Sequence, residues 1–289
     1  MNNRSDIDKS NSFLIKLLEK DKPFIISRCG IGGETGSVYY YKRFKHYDKT
    51  ILSFLVNNAG IYNININTNF VNYCDMFWNC IQNSSALAII DSPQIREEQK
   101  YFVNTFKLST IHSRVLEPFY CCLENIKPWS HSLIGKKVLI INPFTDSMQK
   151  QLANKFQIFK DPEKKIFLDE QEFVFYKSFQ TSGGNHIHSN WLETYTIMCN
   201  DIKKLDFDIA LLACGGYGLP LCNFINKDLK KSAIYVGGGL QLLFGIMGKR
   251  WENNDMWKQI IADNDCQFIR PSGDEIMPNI TRIEGGCYW

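Results

Sequence analysis

Residues 208–251, DIALLACGGYGLPLCNFINKDLKKSAIYVGGGLQLLFGIMGKRW, constrain the fold of this chain more than any other stretch. Two apolar runs, 208–214 and 232–236, each end in glycines and a change of hydrophobic period. In an open α/β sheet that marks the place where a strand stops, the backbone turns sharply, and a ligand can meet main-chain N–H groups at a helix start. The first turn is Gly215, Gly216, Tyr217 and Gly218; the second is Gly237, Gly238 and Gly239, followed by Leu240 and Gln241. One such turn is explained by the freedom of glycine to take φ > 0. Two in succession, with Lys249, Arg250 and Trp251 just downstream, favour a phosphate-bearing ligand over tight packing alone.

The rest of the chain repeats the same unit. Strands are predicted near positions 24, 85, 137, 173, 208 and 232, with helical patterns between them, among them 71–81, 94–106 and 191–203. This order predicts an α/β, Rossmann-like fold: a mostly parallel sheet with helices on both faces, in a single domain over 1–289 with 1–22 as an N-terminal helical extension. The loops around 29, 142, 180, 215 and 237 all follow strands. Parallel strands would bring them to one rim, where one crevice could hold a ligand.

Composition narrows the function classes. The 289 residues are 44% hydrophobic, enough for a full core, and the formal net charge of +3 gives no broad attraction to nucleic acid. The ten cysteines contain no C-x-x-C pair and lie largely in apolar runs, which reads as reduced and structural. The polar start lacks an apolar signal-peptide core, and no apolar run reaches the roughly 20 residues that a membrane span needs. The expectation is a soluble chain without a transmembrane segment, in the cytoplasm, or the host cytoplasm if the gene is viral, with a homo-oligomer left open.

Several side chains are candidates for chemistry. Arg28 closes a first strand and is followed by Cys29, Gly30, Ile31, Gly32, Gly33 and Glu34; the spacing does not meet the G-x-G-x-x-G dinucleotide fingerprint. Glu34 reads either as a base or as a helix-start acid. Glu117, just before Pro118 in an apolar setting, has the same two readings. After the strand at 137, Thr145, Asp146 or Ser147 can cap the helix that follows, whose start either is simply capped or holds phosphate or ribose oxygens, with Asn142, Phe144 and Ser147 as the donor-binding candidates. His186 and His188, beyond Gly183 and Gly184, suit an acceptor or sugar site together with Trp191. No third ligand accompanies the histidines, so zinc is not expected.

Taken together, the runs from Pro23 to Glu34 and from Gly135 to Phe144, the turn from Cys214 to Leu221, the segments from Gly237 to Gly245 and Gly248 to Trp251, and the closing Glu284, Gly285, Gly286, Cys287, Tyr288 and Trp289 resemble the GT-D-type glycosyltransferase family over nearly the whole chain. The resemblance implies a Rossmann-like domain that binds a nucleotide sugar, usually a uridine diphosphate sugar, and moves the sugar to an acceptor hydroxyl in glycan synthesis. Arg28, Gly30 and Glu34 match the family's first-loop motif for metal and donor binding. On that reading Gly215 to Gly218, Gly238, Gly239 and Gln241, with Lys249 and Arg250, surround the donor, and the acceptor proton needs a base, Glu34 first or Glu117 second. Trp191, Trp251 or Tyr217 would stack on base or sugar. The family carries an Asp-x-Glu acid pair for metal and donor binding; Gly32 stands where its first acid would be, which puts Mn or Mg assistance in question. The alternative is a chain that keeps the nucleotide-sugar pocket and has lost catalysis. A methyltransferase fits the glycines but has no use for Lys249 and Arg250.

Overall fold

The computed structural model describes residues 4–31, 33–64 and 68–289; Gly32 and part of the Asn-rich segment at 57–67 lie outside the described residues. Seven strands, β1 (Ile25–Arg28), β2 (Ala86–Ile89), β3 (Ser109–His112), β4 (Lys137–Asn142), β5 (Glu172–Lys177), β6 (Ile209–Leu212) and β7 (Ser232–Tyr235), form one sheet in the order β3-β2-β1-β7-β6-β4-β5. Every pairing is parallel, so the predicted mostly parallel sheet is wholly parallel among the described residues.

The registers follow from period-2 alternation. Ile26, Ala86, Ala88, Val138, Ile140, Ile209, Leu211 and Ile234 point to one buried layer; Ile25, Leu87, Leu139, Ile141, Ala210, Leu212 and Ala233 point to the other. Pairs such as Ile26 with Ala86 and Leu139 with Ala210 keep each layer in phase. A sheet that is apolar on both faces must be covered on both. The helices Glu34–Phe44, Lys49–Asn57, Asn69–Gln82, Arg96–Phe106, Trp191–Ile202 and Gly218–Lys227 cover the second layer with side chains such as Val38, Leu55, Phe77, Phe102, Met198 and Ile225. The first layer is covered by Arg4–Leu18, Phe119–Leu123, Thr145–Ala153, Leu240–Leu243 and Asp255–Asn264. Arg4–Leu18, the predicted extension, buries Ile7, Leu14 and Leu18 in that layer, and its Asn11 side chain bonds Lys127 O at 2.9 Å and accepts from Trp129 N at 2.7 Å.

β3 was not legible as a strand because Ile111 is its one buried residue and it lies at the sheet edge. Beyond these strands, Ile246 and Ile269 form a single parallel bridge. Among the described residues no helix is long and apolar enough to cross a membrane. All ten cysteines are unpaired, nine of them buried.

Ile140 is fully buried in the middle of β4, between β5 and β6. Ile140→Ala is expected to cost about 2–5 kcal/mol in urea unfolding, by lost burial plus the cavity left behind.

Candidate functional site

The carboxyl ends of the strands open into one cleft of about 770 Å³. Its wall takes Arg28 to Gly30 after β1, Ile90 after β2, Asn142 to Phe144 after β4, Ser178 to Ser182 after β5, Ala213 to Gly215 after β6, and Gly237 and Gly238 after β7. The topology explains its position. From β1 the chain leaves over the second layer toward β2, whereas from β7 it leaves over the first layer to Phe244, whose ring lies 5.2 Å from Phe173 and 5.9 Å from Phe175 of β5. Neighbouring strands whose connections diverge leave a crevice between them.

Two guanidinium groups reach the wall. Arg28 Nη1 donates to Val236 O at 2.7 Å and the group packs on Gly237, whose φ of 77° favours glycine and where a Cβ would strike the guanidinium. Arg28 Nε is buried and has no hydrogen-bond partner among the described residues. Arg250 pairs with Glu284 and lies over the Tyr288 ring at 4.6 Å. Asn142 and Gln241 are held in place: Asn142 bonds Ala213 O at 3.2 Å and accepts from Phe144 N at 2.8 Å, and Gln241 donates to Tyr288 O at 3.0 Å.

Glu34 opens the helix Glu34–Phe44 and is 6% exposed, with its carboxylate against Gly30. Glu98, in the first turn of Arg96–Phe106, is 9% exposed on the same wall and makes no ion pair among the described residues. Desolvation raises its carboxyl above the ordinary value, with Glu97 adding to the shift. Burial pushes the Cys29 thiol up to about 12, and Glu34 and Glu98 oppose its ionisation further, so this cysteine is no thiolate nucleophile at neutral pH. Among the described residues no group of three or more His, Cys, Asp or Glu side chains gathers to hold a metal ion.

Of the sequence candidates, Arg28, Gly30, Glu34, Asn142, Phe144, Gly215, Tyr217, Gly238, Gln241 and Arg250 line the cleft. Others do not. The helix start at Thr145–Ala153 is occupied by the protein itself: the Glu275 carboxylate accepts from Asp146 N at 2.9 Å, Ser147 N at 3.0 Å and the Ser147 hydroxyl, so Ser147 has no donor left for a ligand. Three glycines are small to admit protein rather than substrate. A Cβ on Gly216 would stand 2.6 Å from Ile61, one on Gly218 would strike Tyr235, and one on Gly239 would strike the Glu117 carboxyl. Glu117 therefore backs the second turn instead of lining the cleft; burial raises its carboxyl, opposed by Arg28, Arg114 and Arg250.

Trp191 is fully buried, with Nε1 on Asn69 O at 3.1 Å, and cannot stack on a sugar. His186 stacks on Tyr62 at 4.2 Å and His188 bonds Thr194 at 2.9 Å, both away from the cleft wall. Lys249 is exposed and holds Trp289 O through its backbone N–H at 3.1 Å. Tyr217 keeps its place on the wall but is 1% exposed, its hydroxyl on Thr181 at 3.0 Å, so edge contact is all it offers. Sequence reasoning missed Glu98, and it missed Ile51, which packs against Gly36, and Phe54, whose backbone lies against Gly33. The two closing aromatics are docked: Tyr288 and Trp289 line the cleft, and Trp289 Nε1 donates to Glu275 O at 2.8 Å.

Comparison with protein-family models, curated proteins and solved structures finds no match for this chain.

Glu275→Ala would leave three donors without their acceptor, two of them buried, and a loss of about 3 kcal/mol or more in urea unfolding is expected. Glu98→Gln is expected to raise the melting temperature at pH 8. A carboxyl whose folded pKa is raised favours the fold fully at low pH and loses that contribution as pH rises, so the gain should shrink as pH falls toward the ordinary glutamate value of 4.5. Melting curves at several pH values check the sign.

Proposed function

We propose that this chain is a glycosyltransferase that holds a nucleotide sugar, a uridine diphosphate sugar first among the candidates, in the rim cleft and moves the sugar to an acceptor hydroxyl. The observation that carries the reading is the meeting of Arg28, Arg250 and the buried carboxylate of Glu34 in one cleft at the diverging ends of β1 and β7. A diphosphate brings negative charge that guanidinium groups neutralise well, and its position at parallel strand ends is where this type of sheet offers space.

In the proposed reaction the diphosphate lies against Arg28 and Arg250, with Arg28 Nε as a donor in need of an acceptor. Glu34 takes the proton of the acceptor hydroxyl while its oxygen forms a bond to the anomeric carbon. The bond from that carbon to the diphosphate oxygen breaks, and the electron pair leaves with the diphosphate. Glu117, packed under Gly239, acts on Arg28 and Arg250 through its charge and is not the base. Glu34 is the one carboxylate that the first loop brings to the cleft among the described residues, so the charge of the leaving group falls to the two arginines. Binding without turnover remains the second reading, and Gly32 in place of an acid is the feature that favours it.

Calorimetry with a panel of nucleotide sugars, with and without manganese, followed by a donor-hydrolysis assay, tests both. Arg250→Ala is expected to weaken donor binding by about 2 kcal/mol, the worth of a charge-assisted contact. Glu34→Gln is expected to keep binding and lose turnover. Binding with no turnover under any acceptor would leave the non-catalytic reading standing. Failure of every nucleotide sugar to bind would end both.

A further inference from the structure

Of the eight large hydrophobic side chains exposed among the described residues, Ile31, Phe44, Tyr47 and Phe54 fall between positions 31 and 54. They sit on one helical hairpin. The helix Glu34–Phe44 ends at Lys45 in the left-handed conformation, φ 54°, and Lys49–Asn57 starts behind an Asp48 cap that accepts from Thr50 N at 2.8 Å and Ile51 N at 3.0 Å. The second helix runs back along the first, since Gly36 faces Ile51 and Gly33 faces the Phe54 backbone. Phe54 and Ile31 therefore stand at the mouth of the cleft and line it, while Phe44 and Tyr47 form the far tip.

The two ends are connected. Positions 36, 40 and 44 share one helix face at i, i+4 spacing. Gly36 and Tyr40 line the cleft, and the Tyr40 ring is 6.2 Å from that of Phe44. An apolar stripe thus runs from the cleft to the hairpin tip.

Charge is concentrated on the same tip. Between positions 42 and 49 the chain carries Lys42, Arg43, Lys45 and Lys49 against Asp48 alone, a local excess equal to the +3 of the whole chain. Lys42 is paired with Asp75. Arg43 lies over the Phe44 ring at 4.8 Å and Lys45 over the Tyr41 ring at 4.9 Å, and neither they nor Lys49 form an ion pair among the described residues. The Asp48 carboxylate is used by its backbone donors, which hold its pKa below the ordinary value.

We propose that this hairpin docks on an anionic lipid surface, with Phe44, Tyr47 and Phe54 entering the headgroup region and Arg43, Lys45 and Lys49 against the anionic headgroups. Apolar side chains interleaved with cations match an anionic bilayer interface, which offers apolar depth and negative charge together. A nucleic acid would use the cations and the aromatic faces but leave Phe44 and Phe54, 53% and 51% exposed, without an apolar phase to enter. The stripe then orients the cleft mouth toward the bilayer. Docking at this edge does not depend on what the cleft holds, and vesicles without nucleotide sugar test it separately from sugar transfer.

The test is co-sedimentation of the full chain with vesicles of phosphatidylcholine alone and with about a third phosphatidylglycerol added, over a range of salt. The wild type is expected to bind the mixed vesicles about tenfold or more tightly than the neutral ones, and to lose that binding as salt rises. The double variant Phe44→Ser with Lys45→Glu, both exposed positions, should lose about as much again. Leu152→Ser, 44% exposed on a helix over the other sheet layer, should bind like wild type. Wild type that stays in the supernatant with mixed vesicles, a double variant that binds unchanged, a Leu152→Ser loss of equal size, or tight binding of an oligonucleotide without vesicle binding would each overturn the proposal.

Discussion

Apolar side chains on both faces of seven parallel strands are the condition on which everything else in this molecule rests. Such a sheet loses its driving force if either face meets water, so helices must cover both sides. Covering the faces with right-handed crossovers leaves the strand ends as the open surface, and parallel strands put all their carboxyl ends on one rim. The cleft is a consequence of that arrangement. Residues after β1 and β7, whose connections leave over opposite layers, both line it.

The rim is built mainly by the chain's own long-range contacts. The glycine turns that follow β6 and β7 do converge there, yet most of their missing side chains make room for other parts of the protein. Arg28 lies on Gly237, Tyr288 beside Gly238, Glu117 behind Gly239 and Tyr235 against Gly218. The same replacement occurs at the helix start after β4, where Glu275 takes the donors that a phosphate would use. What faces the open space is therefore a small set of charged and amide side chains held by neighbours, with fewer bare backbone donors than the glycines suggest.

The charges on and behind the cleft wall fall into two groups. Arg28, Arg114 and Arg250 all act on Glu117, while Glu34 and Glu98 both act on Cys29. Arg28 and Cys29 are adjacent at the end of β1, so a cationic and an anionic region meet at the tip of one strand. Juxtaposed charge of both signs in a partly desolvated cleft suits binding of an anionic group next to a proton acceptor, and it is this pairing, more than the glycines, on which the proposed sugar transfer stands.

The sequence by itself determined the class of fold, six of the seven strands, and the rim at which the strand-end loops gather, because strand and helix periods and glycine turns are local signals of burial and chain reversal. It also placed Arg28, Glu34, Asn142, Gln241 and Arg250 at that rim. Only the tertiary structure decided which of those groups face a ligand. Ser147 meets a carboxylate 128 residues away, Trp191 is sealed under residues such as Tyr73, and Glu98 comes to the wall from a helix whose polar pattern looks like any solvated face. Contacts between distant segments carry no local period, so the chain encodes where a cleft must form in its pattern, and what lines that cleft in its packing.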